Sequence, residues 1–295
     1  MSELKRQGHF VYIEKDVFLR FDGNMRSKPF LHKGINKMLR LINQTEIKYW
    51  KGKIVNNPAY SEKYDLFLCI NGVSFHPYLL YHLKSVNPLI KASLYVWDPA
   101  SYYDFFRYKE CFDKVYTFDL ADHVRYGVGY LPSYWFKTPE RPIKYQLSMI
   151  GSDHDDRMEV VSKLYRQIKE LELTSLLKVV TRKHDLTAPY MTSHIFTLDE
   201  VARIIDESEC VLDIDKPIQT GITQRVIWAL ARGKKVMTTN GSIKEHPFYN
   251  PNQIRIIDRD KPMLDVAFLT NEKEFVNSLF IENLRIDRWI EQLIY

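Results

Sequence analysis

The chain has 295 residues, 45% hydrophobic and 27% charged, a balance typical of folded globular proteins that excludes a disordered chain. Its 42 basic and 37 acidic residues are spread along the sequence, so the net charge of +5 indicates a mild attraction to anionic partners and predicts no nucleic-acid contact. Three cysteines without a CxxC pair exclude a disulfide framework and make a zinc site improbable.

The first half of the chain predicts strands that alternate with helices. Short β-rich runs predict strands at 9–14, 65–70, 92–97 and 114–118. Apolar residues at helical spacing predict a helix over 33–44, and Pro77 is suited to the first turn of a second helix over 77–86. Such alternation is typical of βαβ units built on a parallel sheet.

Residues 127–145 hold three prolines and two glycines without hydrophobic periodicity, which predicts an interdomain linker. The alternation then resumes. Strands are expected at 145–152, 175–180, 210–214, 234–239 and 253–258, and helices at 156–171, 197–208, 222–233, 271–280 and 285–295. Thr197 and Glu200 form a predicted capping box at one helix start.

We therefore predict an α/β fold with two Rossmann-like domains, whose parallel sheets face a central cleft. Their expected bounds are 1–140 and 141–270, and helices in 271–295 are candidates for packing back on the first domain. Ligands bind at the carboxyl ends of strands in such sheets, so the loops after strands hold the candidate site residues.

In the first domain these loops offer Asn71 and Gly72 in a turn, His76, Asp98 and Asp119. Asp98 or His76 is a candidate general base, and Asn71, Gly72 and Asp119 are candidates for acceptor binding. The alternatives are structural: a turn or helix cap for each aspartate, and an ordinary buried role for a lone histidine.

The loop 151–157 follows a strand and opens a helix, whose free N–H groups predict an anion site. Its candidate ligands are Gly151, Ser152, His154 and Arg157. Asp153 and Asp155 oppose an anion, and their spacing raises a metal as an alternative. Acids in a first helical turn are favourable without any ion, so no metal site is predicted.

Two further loops of the second domain offer donors to a phosphate. Their candidate residues are Arg182, Lys183, Gln219, Thr220, Gly221, Thr223, Arg225, Thr239 and Asn240. Arg225 is costly beside a helix N-terminus unless an anion binds between them. The alternatives are a solvated basic loop at 182–183 and a packed βαβ unit with a surface arginine.

The stretch "GITQRVIWALARGKKVMTTN" resembles the donor-side signature of GT-B glycosyltransferases. The segments "DLFLCINGVSFHPYLLYHLKSVNP", "LYVWDP", "FDKVYTFDLADHVRYG" and "LDIDKPIQTGITQR" are similar to bacterial proteins of lipopolysaccharide or capsule synthesis, over residues 60–260. The resemblance implies a nucleotide-sugar donor in the second domain, a glycan or lipid-linked glycan acceptor in the first, no cofactor and no obligatory metal. One departure is Trp228, where many such enzymes have an acid that holds the ribose; Glu245 is a candidate substitute.

The function predicted from these features is sugar transfer to a surface polysaccharide, in which Arg225 and helix N–H groups stabilise the leaving phosphate. A non-catalytic nucleotide or sugar binding protein and a nucleotide-sugar epimerase are the alternatives. An NAD-dependent oxidoreductase is disfavoured, since no GxGxxG follows the first strand.

We expect a cytoplasmic protein, because no apolar run has the length of a signal peptide's core or of a membrane span. A lipid-linked acceptor would place the protein at the surface of the inner membrane. The aromatic and basic residues of 102–107 are candidates for that contact, and burial in the core is the alternative interpretation.

Overall fold

The computed structural model describes residues 2–13, 44, 46–73, 75–182, 186–217, 219–271 and 278–295. The predicted helix over 33–44, except for its last residue, and Lys183 lie outside the described residues. The chain divides into two compact units, unit 1 (Met1–Leu131 with Ile290–Tyr295) and unit 2 (Pro132–Trp289). Each unit is α/β with a parallel sheet, as predicted. The domain bounds near 140 and 270, and the cleft, stay predictions.

Unit 1 has a four-stranded parallel sheet in the order β1-β2-β3-β4. Its strands are β1 (Leu66–Ile70), β2 (Lys91–Val96), β3 (Lys114–Thr117) and β4 (Gly129–Tyr130), and its helices are α1 (Ser2–Arg6), α2 (46–56), α3 (Pro77–Val86) and α4 (Leu120–Tyr126). Every residue of β2 after Lys91 is buried, as expected for a central strand covered on both faces.

The strand predicted over 9–14 is wrong for the residues that are described, since 9–13 are in no strand. Phe10 in this run is 84% exposed, so its apolar character does not place it in a sheet. Glu14 lies outside the described residues.

Unit 2 has a six-stranded parallel sheet in the order β10-β9-β8-β5-β6-β7. Its strands are β5 (Tyr145–Ser152), β6 (Ser175–Val180), β7 (Met191–Thr192), β8 (Ser208–Asp213), β9 (Lys235–Thr238) and β10 (Ile254–Ile256). Its helices are α5 (Arg157–Glu170), α6 (Leu198–Asp206), α7 (Gln224–Ala231), α8 (Val266–Thr270), α9 (Leu279–Asn283) and α10 (Ile286–Ile294), whose last residues belong to unit 1. The capping box of Thr197 and Glu200 is present.

The strand order of unit 2 reverses between β5 and β8. These two strands are neighbours, but the chain leaves β5 toward β6 on one side and leaves β8 toward β9 on the other. The loops that follow them therefore diverge, and such a point in an open parallel sheet forms a crevice for ligands. The fold thus places the loops 153–156 and 214–223 at the expected position of a site.

The segment predicted as an interdomain linker makes specific hydrogen bonds and ring contacts along its second part. The carbonyl of Tyr134 accepts from Trp228 Nε1 at 2.8 Å, and Phe136 lies edge-on to the Trp228 ring. Trp135 donates its indole N–H to Ile281 and pairs with Arg285 in an isolated bridge. Indole donors and backbone carbonyls thus hold 134–136 against α7 and α9, and the boundary between the two units, after Leu131, falls inside the predicted linker.

We predict that Trp228→Glu destabilises the protein by roughly 3 kcal/mol or more, because Trp228 is 5% exposed and a carboxylate there would lose its water without gaining a partner. Urea unfolding followed by circular dichroism measures the change. The control Trp228→Phe keeps the ring and loses one hydrogen bond, worth about 1 kcal/mol. A Glu variant as stable as the wild type would contradict this account of position 228.

Candidate functional site

The carboxylate of Asp213, at the end of β8, lies where the strand order reverses, and we call the region around it the crevice of unit 2. Asp213 is 1% exposed and accepts three hydrogen bonds of 2.8 Å each. The donors are the Thr223 hydroxyl, Nε of Arg225 and the Thr238 hydroxyl. This one side chain therefore connects the end of β9 with the start of α7.

The sequence suggested that Arg225 has no internal acidic partner at the helix start. In the structure, Nε of Arg225 forms an ion pair with Asp213 at 2.8 Å. Its Nη1 donates to the carbonyl of Ile150. Among the described residues no group accepts from its Nη2. The guanidinium, whose side chain is 14% exposed, is thus anchored by two nitrogens and offers the third.

A second guanidinium meets the first above Gly151. Arg157 is 5% exposed, and it donates to the carbonyls of Ile214 and Ser152. A methyl group on Gly151 would lie 3.3 Å from Nη1 of Arg157 and 3.3 Å from Nη1 of Arg225. Burial, and then the charge of Arg225, lower the pKa of Arg157 to about 10, so this guanidinium is still charged at neutral pH. Two like charges at this short range favour an anion.

The first turn of α7 adds uncompensated N–H groups. Thr223 is its N-cap residue, but the hydroxyl is used on Asp213 and makes no capping hydrogen bond. No acceptor for the N–H of Gln224 or Arg225 is present among the described residues. The backbone thus presents donors beside the Arg225 guanidinium, as an oxyanion would require.

A second ion-pair network lies next to this site. Arg259, after β10, donates to both carboxylate oxygens of Asp156 and to Asp215 at 2.8 Å. The Thr239 hydroxyl donates to Asp215 as well, at 2.6 Å. Burial, and then the charge of Asp213, raise the pKa of Asp215 to about 6, whereas the hydrogen bond from Arg259 lowers the pKa of Asp156.

The remaining predicted donor residues fall into three groups. Burial, and then the charges of Lys216 and Arg157, lower the pKa of His154. Gln219, Thr220, Gly221 and Asn240 lie in or beside the loop after β8, where the Gly221 carbonyl accepts from Gln219 and Asn240. Arg182 is exposed with no hydrogen-bond partner in the part of the chain that is described. Their binding roles stay predictions.

Unit 1 brings two of its predicted residues together at the carboxyl end of its sheet. Asn71 Nδ2 donates to Asp98 Oδ2 at 2.8 Å, and Gly72 follows with φ +65°. His76 and Asp119 instead cap helices: Nδ1 of His76 accepts from the N–H of Tyr78, and Asp119 accepts from the N–H of Asp122. Both are under 9% exposed, which favours the structural interpretation of these two residues.

Sequence reasoning missed Asp213, Asp215 and Arg259 as site residues. A signal was available for the aspartates: both end an apolar strand in "VLDID", where a buried carboxylate requires a partner. Arg259 had no such signal, because its partners come from two loops distant in sequence.

The aromatic and basic cluster of 102–107, a candidate for membrane contact or for burial in the core, is largely internal. Phe105 and Phe106 are 6% and 4% exposed, and Arg107 donates to the buried Glu46 at 3.1 Å. The alternative of core burial is therefore the correct interpretation for these residues. Within the described part of the chain, no helix combines the length and the apolar character that crossing a bilayer requires.

No protein-family model and no curated protein matches this chain. The solved structures that are similar to it include three proteins of glycosylation or sugar transfer. The first is a glycosylation-associated protein complex (Gap123) from Streptococcus agalactiae, at 13% identity over 87% of this chain and 54% of that one, with a TM-score of 0.42. The others are the apo form of the lipopolysaccharide outer core galactosyltransferase WaaB (9%, 86% and 79%, TM-score 0.47) and a glycotransferase of kitacinnamycin (12%, 90% and 81%, TM-score 0.43).

The chain spans about half the length of the first of these, 54%. At these identities and TM-scores, the similarity is one of backbone fold and assigns no activity to this protein.

We predict that Asp215 makes the protein less stable as pH rises from 3.8 to about 6. The pKa of this carboxyl is higher in the folded than in the unfolded chain, so its stabilising contribution is complete below 3.8 and is lost as pH rises through about 6. Asp215→Asn has no carboxyl at this position and so lacks this loss of stability with pH. The difference in unfolding free energy, variant minus wild type, should therefore increase as pH rises from 3.8 to about 6.

Urea unfolding at several pH values measures the difference between the two proteins. The exposed Asp260→Asn serves as the control and should follow the wild type at each pH. A difference between Asp215→Asn and the wild type that does not vary with pH would contradict the assignment.

Proposed function

We propose that the protein is a glycosyltransferase that binds the diphosphate of a nucleotide sugar at the crevice of unit 2. The observation that carries the proposal is the convergence of Arg157 and Arg225 over Gly151, beside free N–H groups of α7. Charge develops on the leaving phosphate when a glycosidic bond to it breaks, and fixed donors at that point stabilise the transition state.

The internal pairing of Arg225 is compatible with this role. The ion pair with Asp213 holds the guanidinium in one orientation, so that Nη2 and the N–H groups of Gln224 and Arg225 are fixed before a ligand arrives. Fixed donors lose little conformational entropy on binding. The same pairing offsets part of the positive charge of Arg225, and the neighbouring guanidinium of Arg157 adds to it at Gly151.

The substrate class that we propose is a nucleoside-diphosphate sugar, with a bacterial lipopolysaccharide or capsule glycan as acceptor. The resemblance of the segments between 60 and 260 supports this choice. On the acceptor side, Asp98 is the better candidate for the base, because its carboxylate is oriented by Asn71, whereas His76 caps a helix. The reaction requires no cofactor in this proposal, and its nucleotide is a substrate.

A non-catalytic nucleotide or sugar binding protein is the second candidate. Trp228 favours it, because this buried side chain cannot accept hydroxyl hydrogen bonds and leaves the ribose without an acid from α7. Incubation with a panel of nucleotide sugars and glycan acceptors separates the two functions. A transferase releases the free nucleotide and extends the acceptor, and a binding protein does neither.

We predict that Arg225→Ala weakens nucleoside-diphosphate binding or turnover tenfold or more, since a hydrogen bond to a charged group contributes roughly 1.5–3 kcal/mol. Calorimetric titration with UDP, GDP and CDP measures binding, and nucleotide release measures turnover. Arg203→Ala, which removes a half-exposed arginine of α6, is the matched control and should bind as the wild type does.

Gly151→Ala is a second test of the same site, in case Arg225→Ala loses binding only because it folds poorly. Its added methyl group would press on both guanidiniums at 3.3 Å without removing a charge, and we expect it to reduce binding as well. Normal affinity and turnover in both folded variants would reject the donor site.

A further inference from the structure

Trp97 differs from the other four tryptophans of the chain. Trp50, Trp135, Trp228 and Trp289 are each 3% to 5% exposed, whereas Trp97 is 56% exposed. Its ring has no hydrogen bond and no aromatic or cationic partner among the described residues. A single exposed apolar side chain is ordinary, so exposure alone indicates nothing. The neighbourhood of Trp97 is what distinguishes it.

The backbone at Trp97 and the carboxylate beside it are held by one side chain. Asn71 Oδ1 accepts from the N–H of Trp97 at 2.8 Å, and its Nδ2 donates to Asp98 Oδ2 at 2.8 Å. Asn71 itself has φ +58°, a left-handed turn conformation that asparagine adopts more readily than most residues, and its N–H donates to the carbonyl of Tyr95.

The carboxylate of Asp98 has one oxygen, Oδ1, that can accept a hydrogen bond from a ligand. Oδ2 of Asp98 is bonded to Asn71, and no donor to Oδ1 is present in the described part of unit 1. Asp98 is partly exposed and directly follows Trp97, just beyond the end of β2. An exposed indole and an oriented hydrogen-bond acceptor thus belong to consecutive residues at the carboxyl edge of a parallel sheet, where ligands bind.

A sugar ring matches this pair of groups. A pyranose presents C–H groups on one face and hydroxyl donors at its rim, and the indole offers a flat apolar surface next to a carboxylate that accepts from hydroxyls. The negative charge of Asp98 disfavours a phosphate. We propose that Trp97 and Asp98 form a saccharide subsite of unit 1, in which the indole stacks on a pyranose ring and Asp98 Oδ1 accepts from a hydroxyl.

The subsite deepens the proposed function, because it names residues that would bind the acceptor glycan. Only the statement that the bound sugar is the acceptor rests on the proposed function. Saccharide binding needs no nucleotide. The full chain labelled with 5-fluorotryptophan gives one ¹⁹F resonance per tryptophan, assigned by single Trp→Phe substitutions. The probes are methyl β-glucopyranoside, methyl β-galactopyranoside, lactose and maltose, with uridine as the nucleoside arm.

We expect at least one of these sugars to shift the Trp97 resonance saturably and to leave the four buried tryptophans unchanged. No shift with any sugar, or a larger shift with uridine than with every sugar, would overturn the proposal. Saturation-transfer NMR on the bound sugar then compares variants. Trp97→Ala should bind about tenfold more weakly, since truncation of an aromatic anchor typically costs 1–2 kcal/mol.

Two control variants separate this proposal from the donor site. Tyr81→Ala removes another exposed aromatic ring of unit 1, 65% exposed on α3, and should bind sugar as the wild type does. Arg225→Ala should also retain sugar binding. If the wild type binds sugar but neither binds nor turns over a nucleotide sugar, the proposed transferase function is contradicted and the saccharide subsite stands. If Trp97→Ala and Tyr81→Ala lose sugar affinity equally, the subsite is contradicted and the proposed function is unaffected.

Discussion

The site of unit 2 depends on one buried carboxylate. Asp213 lies at the end of a strand in the middle of the sheet, where an ionised group without partners would be strongly unfavourable. Three donors satisfy it, and each comes from a different position: the N-cap of α7, the guanidinium of Arg225 and the end of β9. The hydrogen bonds that stabilise this charge also fix the direction of Arg225. Stability and ligand geometry therefore share one set of contacts.

The crevice around Asp213 brings together groups that would repel one another without an anion or compensating acids. Arg157 and Arg225 meet over Gly151, and Arg259 donates to Asp215. The acids Asp213 and Asp215 offset part of this charge; burial, and then the charge of Asp213, raise the pKa of Asp215. A diphosphate would add the negative charge that the Arg157 and Arg225 pair lacks. Electrostatic balance of this kind is typical of sites that bind charged ligands.

Sequence patterns predicted much of the fold. The nearly all-apolar run at 65–70 and the alternation of strands and helices led to two parallel sheets, and Pro77 and the Thr197 capping box marked helix starts that the structure has. These features are local: they depend on residues within one or two turns or on burial along one strand. The order β10-β9-β8-β5-β6-β7 had no local signal, because it depends on which strands pair across the sheet.

The site was predicted less completely, for the same physical reason. The loops after strands were predicted as site positions, but the partners of each side chain come from distant segments. The ion pair of Arg225 with Asp213 and the pair of Arg259 with Asp156, 103 residues apart, could not be read from spacing. The indole hydrogen bonds that hold 134–136 had no signal in the sequence either, because their partners also lie far along the chain.

The central claim is that the diphosphate of a nucleotide binds where Arg157 and Arg225 converge. The most direct test is a crystal structure of the full chain soaked with UDP, GDP or CDP. The account predicts phosphate oxygens within hydrogen-bond distance of Arg225 Nη2, of Arg157 and of the first N–H groups of α7. A nucleotide bound elsewhere in the molecule, with the Gly151 crevice unoccupied, would contradict it.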